Sequence, residues 1–462
     1  MAITIQNTIS QSITPTYSDI IAVVTSNSSS NDNYSFVVDV KNDANAKLAR
    51  YRFVPNQEGI GVINLSSFFR NELTPPTDAW KGKFTSGVTN GMDRYEIVYG
   101  EEWSANPTSS VVLYNGVDDT VGDPEATSSL IAPDLYNYFV PAILNRNEET
   151  EYQWDTSPYY YEPAQSITAT NVFLTDMPKT DIPIRYTDYM CISMFLGETY
   201  SGSGVWNDMI RVRTQAFDVN NSAVGSTNGI TNIQSVNSDA IRTSTGQDFQ
   251  SISGSYFAAY PSDLFHNRLT HMGCGWSNLV STTPNAAAVG YFWYPQARYG
   301  GAYQYGENAA NPFHLTFKFQ DDNCPYPIYR LMWQNKYGVW DFFNFEGRNQ
   351  QAVNRIDSQY RQTFIDYDNT DNTAYNISRR GLKNYSTRRN QRVIVSTKYL
   401  TQEWADWLEG LFISPNVFLL EGTNAIPINL ITATYQKKND PRSQKIKSYT
   451  VEFQYSNPLR TI

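Results

Sequence analysis

The chain has 462 residues, with 35 Lys+Arg against 45 Asp+Glu for a net charge of −10, and only 17% of its residues are charged. At 40% hydrophobic and 14% aromatic it has ample material for packed cores, which excludes a disordered chain. The acidic balance makes the molecule as a whole a poor polyanion binder, and its wealth of Asn, Ser, Thr and Gly excludes an all-helical protein.

In chain order, Met1-Ala2-Ile3-Thr4-Ile5-Gln6 has neither a basic start nor an apolar run, so Sec-type export is not expected. Tyr34, Phe36, Val38 and Val40 alternate with Ser35 and Asp39, the period of a half-buried strand. A second strand, 47–54, runs into Pro55-Asn56-Gln57-Glu58-Gly59, where Pro stops the ladder and Gly can take positive φ. Residues 66–73 read as a short helix ended by Pro75-Pro76, and strands near 94–99 and 111–114 complete a sandwich. In the middle, strand-like runs at 189–195 and 209–219 alternate with a long polar tract, 220–255. Leu315, Phe317 and Phe319 restore a clear period of two, and two aromatic strands at 329–345 flank an Asn335-Lys336-Tyr337-Gly338 turn. Thr401 is a good N-cap, and Trp404, Trp407, Leu408, Leu411 and Phe412 follow helical spacing up to Pro415; strands at 416–420, 427–436 and 447–455 close the chain.

The reading is a mainly β, multi-domain protein of antiparallel β-sandwich-like domains with a few short helices. Its segments are an N-terminal sandwich over 1–125, a β-rich region with long polar loops over 126–290, and a C-terminal β domain over 291–462 whose helix spans about 401–412. No aliphatic run approaches the ~18 residues that cross a bilayer, so no membrane partner is expected. Cys191, Cys274 and Cys324 are widely separated and odd in number, as befits buried thiols of a protein assembled in a cytoplasm rather than a disulfide framework.

Three patches, taken in order, resemble structural proteins of tailed bacteriophages, in particular those of crAss-like and related phages of Bacteroidota. They are Arg52-Phe53-Val54-Pro55-Asn56-Gln57-Glu58-Gly59 with the strand before it and the helix after it, the hairpin from Met332 to Asp341, and the stretch from Trp407-Leu408 through Ser414-Pro415-Asn416-Val417 to Phe453-Gln454-Tyr455-Ser456-Asn457-Pro458. The resemblance covers the first and last quarters of the chain. It implies a virion component of the tail, neck or baseplate, assembled in the host cytoplasm, whose partners are other copies of itself and neighbouring virion proteins.

Familiar enzyme signatures are absent: no phosphate-binding loop, no H-E-x-x-H, no nucleophile elbow and no paired C-x-x-C. His266, His271 and His314 lie near Cys274 and Cys324, but the spacing matches no zinc cluster, so ordinary turn and surface histidines are expected. Asp366-Tyr367-Asp368-Asn369-Thr370-Asp371-Asn372 starts like a calcium loop and then breaks register, with Asp371 where Gly is needed and Ile377 where Glu is needed. Glu148, Glu149 and Glu151, and Asp118-Asp119, would form a glycosidase pair only across a cleft, and adjacent residues point apart. No catalytic residue, metal or cofactor is therefore expected.

One charge asymmetry stands out. Arg379, Arg380, Lys383, Arg388, Arg389, Arg392 and Lys398 fall in a stretch with no acid between Asp371 and Glu403. Arginine forks suit carboxylates or phosphates, so the arginines and lysines from Arg379 to Arg392 are the candidate docking surface for an acidic subunit, with DNA the weaker choice of partner. The expected function is a non-enzymatic virion protein that forms a ring, adaptor or fibre-attachment element of the tail. The alternative is a carbohydrate-binding or depolymerising tail protein with a host-surface glycan as its partner.

Overall fold

The structure, a computed structural model, describes residues 3–7, 13–27, 29–31, 33–42, 46–82, 84–86, 91, 93–103, 112–114, 137–143, 160–161, 173–196, 210–222, 224, 232–235, 269–279, 283–299, 302–304, 314–320, 325–361, 365–367, 373–375, 381–432, 448–457 and 460–461. Most of these residues are strand and few are helix, so the protein is mainly β, built from several antiparallel sheets. The chain divides into two units, residues 1–320 with 334–341, and residues 321–333 with 342–462.

The first unit begins with β1 (Ile3–Asn7), β2 (Ile21–Ser26), β3 (Ser35–Asn42), β4 (Lys47–Phe53), β5 (Ile60–Asn64), β6 (Asp93–Trp103) and β7 (Asn137–Val140). One sheet has the order β1-β2-β5; the other runs β7-β6-β3-β4, with Ile13–Pro15 added parallel to β7. Side chains alternate along each strand, so Ala22 and Val24 from the first sheet meet Phe36, Val38, Val40, Tyr95, Ile97 and Tyr99 from the second in one core. Helix α1 (Ser66–Glu72) adds Phe69, whose ring stacks on Phe139 at 3.9 Å between centroids. On the opposite face of β3, buried Asp39 accepts two hydrogen bonds of 2.7 Å from Arg50, its cross-strand neighbour on β4.

The same unit continues with β8 (Cys191–Leu196), β9 (Ile210–Phe217), β10 (Leu269–Gly273), β11 (Gly290–Tyr299) and β12 (Leu315–Phe319). Strand β10 lies between β8 and the distant strand Phe84–Ser86, while β11 lies between β9 and β12. Tyr291 and Trp293 of β11 donate to the carbonyls of Cys274 and Gly273, at 2.8 and 3.1 Å, which fixes β11 to the end of β10. These pairings cut across the segments expected at 1–125, 126–290 and 291–462. Phe84–Ser86 and 137–140 are joined to partners on the far side of the 125/126 boundary, and β11 straddles 290/291, because ladder hydrogen bonds select partners without regard to sequence distance.

The hairpin strands β13 (Tyr329–Gln334) and β14 (Trp340–Phe345) flank the expected turn, where Gly338 takes φ +79°. A Cβ at Gly338 would lie 2.7 Å from the Pro141 carbonyl carbon, so both the backbone angle and the space require glycine. Within the first unit, Asn335 donates to Leu174 O at 2.8 Å and to Asp341 Oδ1 at 3.1 Å, and the Tyr337 hydroxyl donates to Asp176 at 2.7 Å.

The second unit adds β15 (Asn349–Arg361), β16 (Leu382–Ser396), α2 (Gln402–Ile413), β17 (Val417–Glu421), β18 (Asn424–Leu430) and β19 (Thr450–Tyr455). The sheet order is β14-β13-β17-β18-β19-β16-β15. Helix α2 starts one residue later than read from the sequence; Thr401 is its N-cap in extended conformation and Glu403 sits in its first turn. Trp404, Trp407, Leu408 and Leu411 are buried, and the Trp407 ring centroid is 4.9 Å from Trp333 and 6.0 Å from Phe343. Among the described residues no helix is long and apolar enough to cross a membrane.

Candidate docking surface

Of the expected basic residues, Lys383, Arg388, Arg389 and Arg392 fall on β16, the longest described strand, paired along its length with β15. Sequence periodicity missed this ribbon, because Gln, Asn, Arg and Ser occupy positions where Val, Ile and aromatic residues usually mark a strand. The ribbon has a different local cement. Gln359 donates to Asn384 at 2.7 Å, Asn390 donates to Gln454 of β19 at 2.9 Å, and Gln391 reaches Gln351 at 3.4 Å. Several amide side chains of the ribbon are thus engaged in cross-strand pairs.

Among the described residues, 392–396 of β16 pair with β19, whereas 382–391 meet β15 on one side and, on the other, Arg460–Thr461 opposite residues 387–388. Strand β15 is exposed over nearly its whole length and is the last strand of the sheet among the described residues. Val353, Ile356, Tyr360, Leu382 and Tyr385 are between 44% and 69% exposed, which puts a row of large apolar groups in water.

The candidate cations behave unequally. Lys383 is exposed, Arg389 and Arg392 are half-buried, and Arg388 is placed on the strand opposite Ile356; Arg379 and Arg380 lie outside the described residues. Arg392 reaches Glu452 at 3.4 Å, and Lys398 is paired to Glu346 at 2.7 Å, so Lys398 is not part of an open basic surface. The Nε atoms of Arg389 and Arg392 are buried and have no hydrogen-bond acceptor among the described residues. Arg355 of β15 donates to Asp357 at 2.8 Å, and that hydrogen bond holds the Asp357 carboxyl below its ordinary range.

At the base of the ribbon, where the sheet face emerges beyond its buried part, a cleft of about 300 Å³ is lined by Arg389, Gln391, Glu421, Ile426, Tyr455 and Asn457. Burial, reinforced by the Glu421 carboxylate, raises the Tyr455 phenol above its ordinary value. The cleft combines a guanidinium, a carboxylate, amides and an aromatic ring, a set able to hydrogen-bond and stack on a polar ring or side chain.

Elsewhere the candidate chemistry does not converge. His271, expected at a turn or surface, is completely buried on β10, with Nδ1 2.7 Å from Ser193 Oγ on β8 and no partner for Nε2 among the described residues. Burial pushes its pKa down to about 4, which keeps the ring neutral at neutral pH. His314 is half-buried beside Phe292, with ring centroids 4.9 Å apart, and burial lowers its pKa too. Cys191 and Cys274 are buried, whereas His266, Cys324, Asp118, Asp119, Glu148, Glu149, Glu151, Asp368 and Asp371 lie outside the described residues. Glu101 and Glu102 are buried neighbours on β6, but adjacent strand residues face opposite ways; Glu101 binds Ser26 and Tyr34 while Glu102 pairs with Arg52. No group of three potential metal ligands occurs among the described residues. Comparison with protein-family models finds no matching family, and comparison with curated proteins finds no match.

Proposed function

We propose that this chain is a non-enzymatic structural protein of a tailed-phage virion, acting as a ring, adaptor or fibre-attachment element that assembles with copies of itself and neighbouring virion proteins. The observation that carries this reading is the β15–β16 ribbon, exposed on both faces and studded with large apolar and cationic side chains. Two strands alone bury too little to be stable in water, so a ribbon of this kind suits a protein whose working state is an assembly. The three sequence patches that resemble phage structural proteins point the same way. The test is light scattering on the purified protein together with its localisation in imaged virions. A persistent monomer absent from particles overturns the reading.

The cleft at Arg389 and Tyr455 favours a second reading, a carbohydrate-binding or depolymerising tail protein. Binding of purified host-surface glycan, lost on Tyr455→Ala, would support recognition. Release of reducing ends, abolished by replacing Glu149 or Glu151, would support depolymerisation.

A further inference from the structure

We infer that the β15–β16 ribbon is a docking arm whose occupant is a second copy of this chain, held on the acidic remainder of its neighbour. This rests on the self-assembly reading above and names the element and the surface that would carry it.

Charge complementarity is the first support. Strands β15 and β16 hold six arginines and lysines against the single Asp357, a net +5. The rest of the chain then holds 29 basic against 44 acidic residues, a net −15, since the totals are 35 and 45. Acidic copies repel one another at long range, and a basic arm on each gives one approach that is attractive.

Geometry is the second. Thirteen residues of strand extend about 44 Å, and two strands side by side are about 10 Å wide, so one face of the arm covers roughly 400 Å². A stable complex buries about 800 Å² per partner, which requires both faces. Both are equipped for it: Val353 and Ile356 are three residues apart on one strand, so they point to opposite faces, and both are more than half exposed. The arm is therefore enclosed by the neighbouring copy rather than laid flat on it. Each copy both gives an arm and receives one, a head-to-tail contact that closes into a ring when the rotation allows.

The experiment uses the full chain. Sedimentation velocity over a range of concentration and salt compares the parent with a variant carrying Ile356→Ser, Tyr360→Ser, Leu382→Ser and Tyr385→Ser, all at exposed positions. The parent should associate, more weakly as salt rises, and the variant should stay folded by circular dichroism with its dissociation constant raised more than about a hundredfold. A photo-crosslinking residue at position 385 supplies an independent readout: adducts between copies should map to acidic segments outside 349–396. If parent and variant associate equally, the arm is not the contact while self-assembly stands. A parent that is monomeric at every concentration overturns self-assembly itself. Crosslinks from particles that reach only a different virion protein overturn the second copy as occupant.

Discussion

Arg355 on β15 stands directly opposite Arg389 on β16, two guanidinium groups sharing one cross-strand position in an exposed ribbon. Like charges so placed repel, and the ribbon relieves this on one side only: Arg355 is bonded to Asp357 at 2.8 Å, whereas the Arg389 Nε is buried with no acceptor among the described residues. At this cross-strand position two positive charges therefore meet.

Changing Arg379, Arg380, Arg388 and Arg389 together to Ser should leave the monomer folded and weaken its incorporation into particles, with assembly of the parent slowed by added salt. Exposed ion pairs contribute only about 0–1 kcal/mol each, so these cations guide register while apolar contacts supply most of the affinity. Assembly rates against ionic strength check this, and equal rates for variant and parent with no salt effect would show a merely solvated face.

Replacing Trp407 by Ala should destabilise the second unit by roughly 3–5 kcal/mol, the usual penalty for removing a buried aromatic. Trp407 lies against both Trp333 and Phe343, so the void cannot be filled from one side. Chemical denaturation followed by tryptophan fluorescence reads the loss; a midpoint equal to the parent's contradicts it.

Stability should fall as pH drops from 6.5 towards 4, with His271 as one cause. Its folded pKa is about 4 against an ordinary 6.5, so across that window the unfolded chain binds a proton that the folded chain refuses. The contribution is present above pH 6.5 and is lost progressively as pH falls towards 4, on the order of 2–3 kcal/mol. His271→Gln removes the titration, so its denaturation midpoint should vary less with pH than the parent's, whatever its absolute stability. Identical pH slopes for the two proteins would remove His271 from the account.

Gly338→Val should cost about 1–3 kcal/mol, because a branched residue at φ +79° is strained and its Cβ would press on the Pro141 backbone. Thermal melting is the measurement. Gly422 is a useful control: it also has positive φ, at +61°, but a Cβ there meets nothing within 4 Å, so Gly422→Asn should cost less.

The sequence by itself determined the mainly β character, the hairpin about Asn335–Gly338, the apolar face of α2 and the presence of a basic run before Thr401. These are local: a period of two or 3.6 states which side chains seek burial, and a turn glycine states where the chain reverses. Tertiary structure alone decided that Phe84–Ser86 pairs with β10 and Ile13–Pro15 with β7, that His271 is buried, and that Lys383, Arg388, Arg389 and Arg392 lie on a strand paired with the exposed β15. The physical reason is that a sheet is closed by backbone hydrogen bonds, which are nearly the same for every residue type. Which strands meet is settled by the packing of all the faces at once, and no one segment encodes it.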